Sequence, residues 1–218
     1  MKGLYVHIPF CKTICSYCDF PKIIAKESIH QSYIQRLIEE IDSYKSELNN
    51  ISTVYFGGGT PNAISISLLR KLFEKLADSI EHAEEVTIEL NPELVNIELV
   101  QLLKEFKITR VSLGIQTLNP VSITLLNRHH TKENVISAVG LLRAYGIENI
   151  NADFIFGIPG TSIQDVKRDL SFFLSLELPH ISYYSLILED RTVLKHKTDH
   201  HMPVSYTHLR AHETLRHL

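Results

Sequence analysis

Beyond residue 18 this chain has no cysteine, and it has only three in all: Cys11, Cys15 and Cys18. An odd trio in one tight cluster is no disulfide framework. In a reducing compartment such spacing points to metal or redox chemistry instead. Long apolar runs are also missing, and none is long enough to span a bilayer. The N-terminus, Met1-Lys2-Gly3-Leu4-Tyr5, runs straight into a strand-like segment and does not read as a signal peptide. The net charge is −3 and no basic stripe is present, which argues against non-specific nucleic-acid binding. Neither an internal repeat nor a low-complexity linker is found. What remains is an ordinary globular mix, 44% hydrophobic and 22% charged. Its 218 residues suffice for one large domain or two small ones with a full core. A cytoplasmic protein without a membrane span is expected.

Apolar, β-branched runs alternate with helical patterns along the chain. Strands are expected at 4–8, 53–56, 85–90, 110–115, 150–156 and 180–188. Helices are expected at 32–48, 67–80, 97–106, 131–145 and 162–176, with Gly146 as a C-terminal stop and Ser162 as an N-cap. Strict strand–helix alternation means parallel βα units with right-handed crossovers. The class is α/β. An open doubly wound sheet and a barrel both fit. A closed eight-fold barrel takes ~250 residues, so six units point to an incomplete one. In either architecture ligands bind at the C-terminal ends of the strands. The polar and glycine-rich signals lie there: the cysteines after strand one, Gly57 to Thr60 after strand two, Glu89 and Asn91 after strand three, Gln116 after strand four, and Asp153 and Gly157 at strand five.

Cys11-Lys-Thr-Ile-Cys15-Ser-Tyr-Cys18 is a C-x3-C-x2-C pattern. Thiolates are soft ligands that suit iron–sulfur clusters or zinc. Three cysteines on a four-iron cubane leave one iron without a protein ligand. A molecule with an amine and a carboxylate can chelate that iron, and the methionine end of S-adenosylmethionine has both. An electron from the cluster would then cleave the sulfonium, with the protein positioning the cofactor and excluding water. The alternative is zinc with His7 or Asp19 as fourth ligand, although structural zinc sites usually pair two knuckles and one is present here. Elsewhere, Gly58, Gly59 and Thr60 let backbone approach a ligand. Glu89, Gln116 and Asp153 offer hydrogen bonds to hydroxyls or an amine. Read alone, each also fits a strand-to-helix turn or a polar strand end. His129–His130 and His200–His201 are adjacent pairs whose side chains diverge, so neither reads as a chelating site.

The segment Tyr5-Val-His-Ile-Pro-Phe-Cys11-Lys-Thr-Ile-Cys15-Ser-Tyr-Cys18-Asp-Phe20 resembles the N-terminal signature of the oxygen-independent coproporphyrinogen III oxidase family, which includes HemW-type haem chaperones. The resemblance continues through Tyr55-Phe-Gly-Gly-Gly-Thr-Pro61, Ile88-Glu-Leu-Asn-Pro92, Ser112-Leu-Gly-Ile-Gln116, Leu126-Asn-Arg-His129 and Asn151-Ala-Asp-Phe-Ile-Phe-Gly-Ile-Pro159. It implies a partial (β/α)6 TIM-like barrel of the radical SAM type. It also implies a [4Fe–4S] cluster on Cys11, Cys15 and Cys18 with S-adenosylmethionine on the fourth iron. By the same resemblance Gly58, Gly59 and Thr60 meet the methionyl amine, while Glu89, Gln116 and Asp153 stand at strand ends where such groups can accept from ribose hydroxyls or the amine. Arg128 reaches its carboxylate or ribose. Tyr5 and Tyr17 flank the cluster, the Tyr5 position lying close to catalysis in the oxidases. Implied partners are haem or porphyrin, an electron donor such as a flavodoxin or ferredoxin, and a haem-receiving protein.

One nearby position divides that family. The oxidases carry a fourth cysteine two residues after the third, and here Phe20 stands in its place. The short lead-in before strand one points the same way, to the chaperone branch. The alternative is oxidative decarboxylation of coproporphyrinogen III to protoporphyrinogen IX. At the far end, 204–214 reads Val-Ser-Tyr-Thr-His-Leu-Arg-Ala-His-Glu-Thr, which resembles a translated sequencing adapter running on through 215–218. A core at 1–202, cut short near Met202, is therefore expected, with 203–218 as an artefactual tail. His208, His212 and His217 are not read as metal ligands.

Overall fold

A computed structural model of the chain describes residues 2–201; the expected tail and its histidines lie outside them. Six strands form one parallel sheet in sequential order: β1 Gly3–Ile8, β2 Thr53–Gly58, β3 Glu85–Leu90, β4 Arg110–Gln116, β5 Ile150–Phe156 and β6 His180–Ser185. The helices between them are α1 Glu27–Ser43, α2 Ile66–Lys75, α3 Ala77–His82, α4 Ile97–Glu105, α5 Pro120–Leu125, α6 Lys132–Ala144 and α7 Ile163–Ser175, with α8 Val193–His201 after β6. A doubly wound sheet changes direction partway. This one never does, and α1, α2, α4 and α6 touch in succession as an outer ring. The result is an open six-stranded barrel whose edges are β1 and β6.

Strand periodicity explains which face is which. Val54 and Phe56, Val86 and Ile88, Val111 and Leu113, and Ala152 and Phe154 all point outward and are buried under the helices. The alternate residues are polar: Tyr5, Tyr55, Glu89, Ser112 and Asp153 line the interior. Parallel strands covered on both faces usually read as continuous apolar runs. The alternation here marks an inner face that is a polar cavity rather than a packed core.

Several boundaries differ from expectation. The first helix begins at Glu27, because His30 and Ile34 set its buried face a turn earlier than Tyr33 and Leu37 indicate, and it ends before the polar 44–47 turn. The stretch expected as one helix at 67–80 is α2 and α3, broken at Leu76, whose backbone leaves helical geometry (φ −102°, ψ 12°). β2 runs on through Gly57 and Gly58, which pair with His7 and Ile8 of β1. β6 stops at Ser185. Thr131 caps α6 in a reciprocal box with Asn134. Ser162 precedes α7 as expected, with its N–H and hydroxyl both donating to Asp165.

Candidate functional site

A cavity of about 830 Å³ opens at the C-terminal ends of the strands. The twelve residues expected to hold the cluster or its cofactor all line it: the three cysteines, Tyr5, Tyr17, Gly58, Gly59, Thr60, Glu89, Gln116, Arg128 and Asp153.

The cysteine loop follows β1 and is gripped from three sides. The Cys11 N–H donates to the Ile23 carbonyl at 3.0 Å, closing the loop on itself. From α5, Leu125 and Leu126 accept the Ser16 hydroxyl at 2.6 Å and its N–H at 3.0 Å. Asn127 donates to the Ile14 carbonyl at 2.8 Å. From α8, the Leu194 N–H donates to the Ser16 carbonyl at 2.8 Å. Tyr17 packs half-buried against the apolar group of Leu126, Ile155 and Leu186. Burial, with the Cys15 thiol beside it, pushes its phenol up.

The three thiols are free and half-buried. The Thr60 hydroxyl lies 3.6 Å from the Cys11 sulfur, and Arg128 Nη1 lies 3.8 Å from that of Cys15. Burial pushes the Cys11 and Cys18 thiols up, opposed by the Thr60 hydroxyl at Cys11 and by the Phe20 N–H and Lys22 at Cys18. Among the described residues no three His, Cys, Asp or Glu side chains converge as ligands of one ion. A cubane asks for a different arrangement, because each thiolate takes its own iron. The two alternative zinc ligands are engaged elsewhere. His7 meets the Pro21 carbonyl and the Tyr5 hydroxyl, at 3.1 and 3.3 Å, and Asp19 faces Arg191 at 3.4 Å.

The glycine run is shaped by its neighbours. A Cβ on Gly59 would lie 2.7–2.9 Å from backbone atoms of Ile8, Pro9 and Phe10, so only glycine lets β2 pass beside the root of the cysteine loop. Gly58 has φ +113°, and its N–H donates to Glu89 at 3.1 Å. The other Glu89 oxygen accepts the Tyr55 hydroxyl at 2.7 Å. Asp153 accepts from Ser112 and Asn151, each at 2.7 Å. Burial raises both carboxyls above their ordinary range, against these hydrogen bonds. Gln116 ends β4 in the left-handed region (φ +69°), where the β4–β5 register slips. That strain on a non-glycine residue sits at the cavity wall.

Arg128 is 7% exposed. Its Nη1 donates to Asn91 at 2.9 Å, its Nη2 to the Gly114 carbonyl, and its Nε has no partner among the described residues. Tyr5 is exposed at the mouth and stacks on Tyr55 at 5.8 Å. His130 is a packed residue: one ring nitrogen meets the Thr117 carbonyl at 3.1 Å, and burial lowers it to about 4.

Sequence reasoning overlooked α5. This helix delivers Arg128 on one side and holds the cysteine loop on the other. Its signal was present in Asn119-Pro120: Asn119 accepts from the Val121 and Ser122 N–H groups at 3.0 and 3.1 Å, and Pro120 opens the first turn. It also overlooked Tyr55, Ser112 and Asn151 as the groups that hold the two cavity carboxylates.

The radical SAM superfamily profile matches residues 5–173. A haem chaperone HemW from Lactococcus lactis is 41% identical over 195 residues, covering 88% of this chain and 51% of that protein. One from Bacillus subtilis is 33% identical over 211 residues, covering 93% and 56%. The chain thus spans about half the length of the curated relatives it matches. Among solved structures, coproporphyrinogen III oxidase (HemN) from Escherichia coli, described as a radical SAM enzyme, superposes with a TM-score of 0.85 at 24% identity, over 98% of this chain and 51% of that one. At that identity the match speaks for the shared fold. The profile match covers most of the chain and includes the whole cysteine loop, so the chain belongs to the radical SAM superfamily.

Proposed function

We propose that this chain is the radical SAM core of a HemW-type haem chaperone, with Cys11, Cys15 and Cys18 holding a [4Fe–4S] cluster. Membership of the superfamily implies that cluster and S-adenosylmethionine. When bound, the pair supplies one-electron chemistry at the cluster's open iron. The residues fit such a load: three free thiols rim a cavity that also holds two carboxylates and an arginine with an unpartnered nitrogen.

The chain's own groups then have distinct tasks. Glu89 spends one hydrogen bond per oxygen on the protein, Asp153 is held by Ser112, Asn151 and Ser182, and a carboxylate oxygen can accept more than one. That leaves acceptor capacity for ribose hydroxyls or the methionyl amine, with Gln116 beside them on the cavity wall. Gly58, Gly59 and Thr60 bring backbone close to the amine. Arg128 offers a fixed cation to the methionyl carboxylate or the ribose. Tyr5 stands at the mouth, where a large cargo would enter, and Tyr17 closes the cluster loop against water.

The observation that carries the chaperone reading is Phe20, in a chain whose curated relatives bear the name haem chaperone. It is 71% exposed at the cavity rim and carries no ligating atom in the place of the oxidases' fourth cysteine. Haem or porphyrin is the proposed cargo, a flavodoxin or ferredoxin the electron donor, and a haem-accepting protein the partner, in the cytoplasm. Among the described residues no helix is long and apolar enough to cross a membrane.

Anaerobic reconstitution tests this. About four irons and four sulfides per chain are expected, and Cys11→Ser, Cys15→Ser or Cys18→Ser should each lower that content sharply. Zinc in the purified protein would overturn the cluster assignment. Supplied with haem, the reconstituted protein should bind it; supplied instead with coproporphyrinogen III and S-adenosylmethionine, it should release no protoporphyrinogen IX. Release of that product would make it an oxidase.

A further inference from the structure

We infer that Asn62 is a positioning residue that sets Arg128 through Asn91. The inference rests on the proposal that Arg128 contacts the cofactor. It begins with a gap in the sheet. β2 and β3 pair only as far as Phe56 and Ile88, because Gly57, Gly58 and Gly59 turn toward β1. The peptide groups at Asn91, just past the end of β3, therefore lose their neighbour on the β2 side. Buried polar backbone needs a partner. The side-chain amide of Asn62 supplies both halves: Asn91 N–H donates to Asn62 Oδ1 at 3.1 Å, and Asn62 Nδ2 donates to the Asn91 carbonyl at 3.1 Å. One side chain thus imitates a strand.

With its backbone held at both ends, Asn91 presents Oδ1 to Arg128 Nη1 at 2.9 Å, while its Nδ2 reaches Glu93 at 3.3 Å. The Gly114 carbonyl takes Nη2, so the guanidinium is fixed at two points on two different strand ends. Nε remains unpartnered on a side chain that is 7% exposed. Arginine carries large rotamer freedom, and holding it in advance lowers the ordering cost of binding an anion. Asn62 is itself buried in the turn at Pro61–Ala63.

The test uses the reconstituted full chain and equilibrium dialysis with labelled S-adenosylmethionine. Asn62→Ala should weaken binding about tenfold, the low end for loss of an outer-shell partner, with iron and sulfide unchanged. The double variant of Asn62→Ala with Arg128→Ala should bind no more weakly than Arg128→Ala alone, since the relay acts only through the arginine. Asn62→Ser, too short to span both Asn91 groups, gives the same reading if Asn62→Ala does not fold. Additive losses, or unchanged affinity in the Asn62 variants, would overturn the relay and leave Arg128 in place. Unchanged affinity in Arg128→Ala would overturn the assignment of Arg128 first, and the relay with it.

Discussion

Glycine-to-alanine substitutions at two positions should act in opposite directions. At Gly59 an added methyl would meet the carbonyl carbon of Pro9 at 2.7 Å, the Phe10 oxygen at 2.8 Å and the Ile8 oxygen at 2.9 Å. All three are backbone atoms of the segment that ends β1, so no side chain can swing away. Two hydrogen bonds cross the same contact, Gly59 N–H to Ile8 at 2.9 Å and Thr60 N–H to Phe10 at 2.8 Å. Overpacking costs roughly 1–3 kcal/mol and a stretched backbone hydrogen bond about 1 more, so about 3 kcal/mol is expected. For a chain of this size that lowers the melting temperature by roughly 6–12 °C. Phe10 directly precedes Cys11, and the Thr60 hydroxyl lies 3.6 Å from the Cys11 sulfur, so bound iron should fall as well. Gly140 in α6 is the control: nothing lies within 4 Å of its added carbon. There alanine should gain ~0.5–1 kcal/mol of helix propensity. Circular-dichroism melts of the cofactor-free chains, with iron analysis after reconstitution, decide the matter. A Gly59→Ala protein that melts with wild type and loads full iron would refute the close-approach argument.

Other expectations follow from the same geometry. Glu89 and Asp153 have pKa values raised by burial, so at neutral pH their ionised forms subtract stability, and that penalty is relieved as pH falls through the raised folded values. Mild acidification should therefore weaken S-adenosylmethionine binding, by protonating two acceptors, while Asp153→Asn removes the Asp153 share of the pH effect on unfolding. Asp165 is held at about 2 by the Ser162 hydroxyl and N–H and by Asn119. Its stabilisation is present above the ordinary carboxylate pKa and is lost as pH falls toward about 2, so Asp165→Ala should lower the urea midpoint at pH 7 and do so progressively less in acid. Phe20→Ala, at a position 71% exposed, should shift stability by no more than ~0.5 kcal/mol in urea titration and leave iron content unchanged.

Much of this protein is legible in its sequence, because the information is periodic or local. Alternation of strand and helix fixes parallel βα units, and the period-two pattern within strands separates an apolar outer face from a polar inner one. Residues at strand ends must then converge, which is why the twelve expected cluster and cofactor residues share one cavity. Boundaries fared less well where polar residues mask a helix start, as at Glu27, or where a buried residue such as Leu76 carries a break that hydropathy does not register.

Tertiary structure alone decided how that cavity is held. The grip of α5 on the cysteine loop joins residues more than a hundred positions apart in sequence, as Ser16 to Leu125 and Asn127 to Ile14 show. The amide of Asn62 stands in for a strand that the glycine run takes away. Neither has a period or a motif, because a hydrogen bond across the fold depends on where two backbones arrive and leaves no trace in the spacing of either.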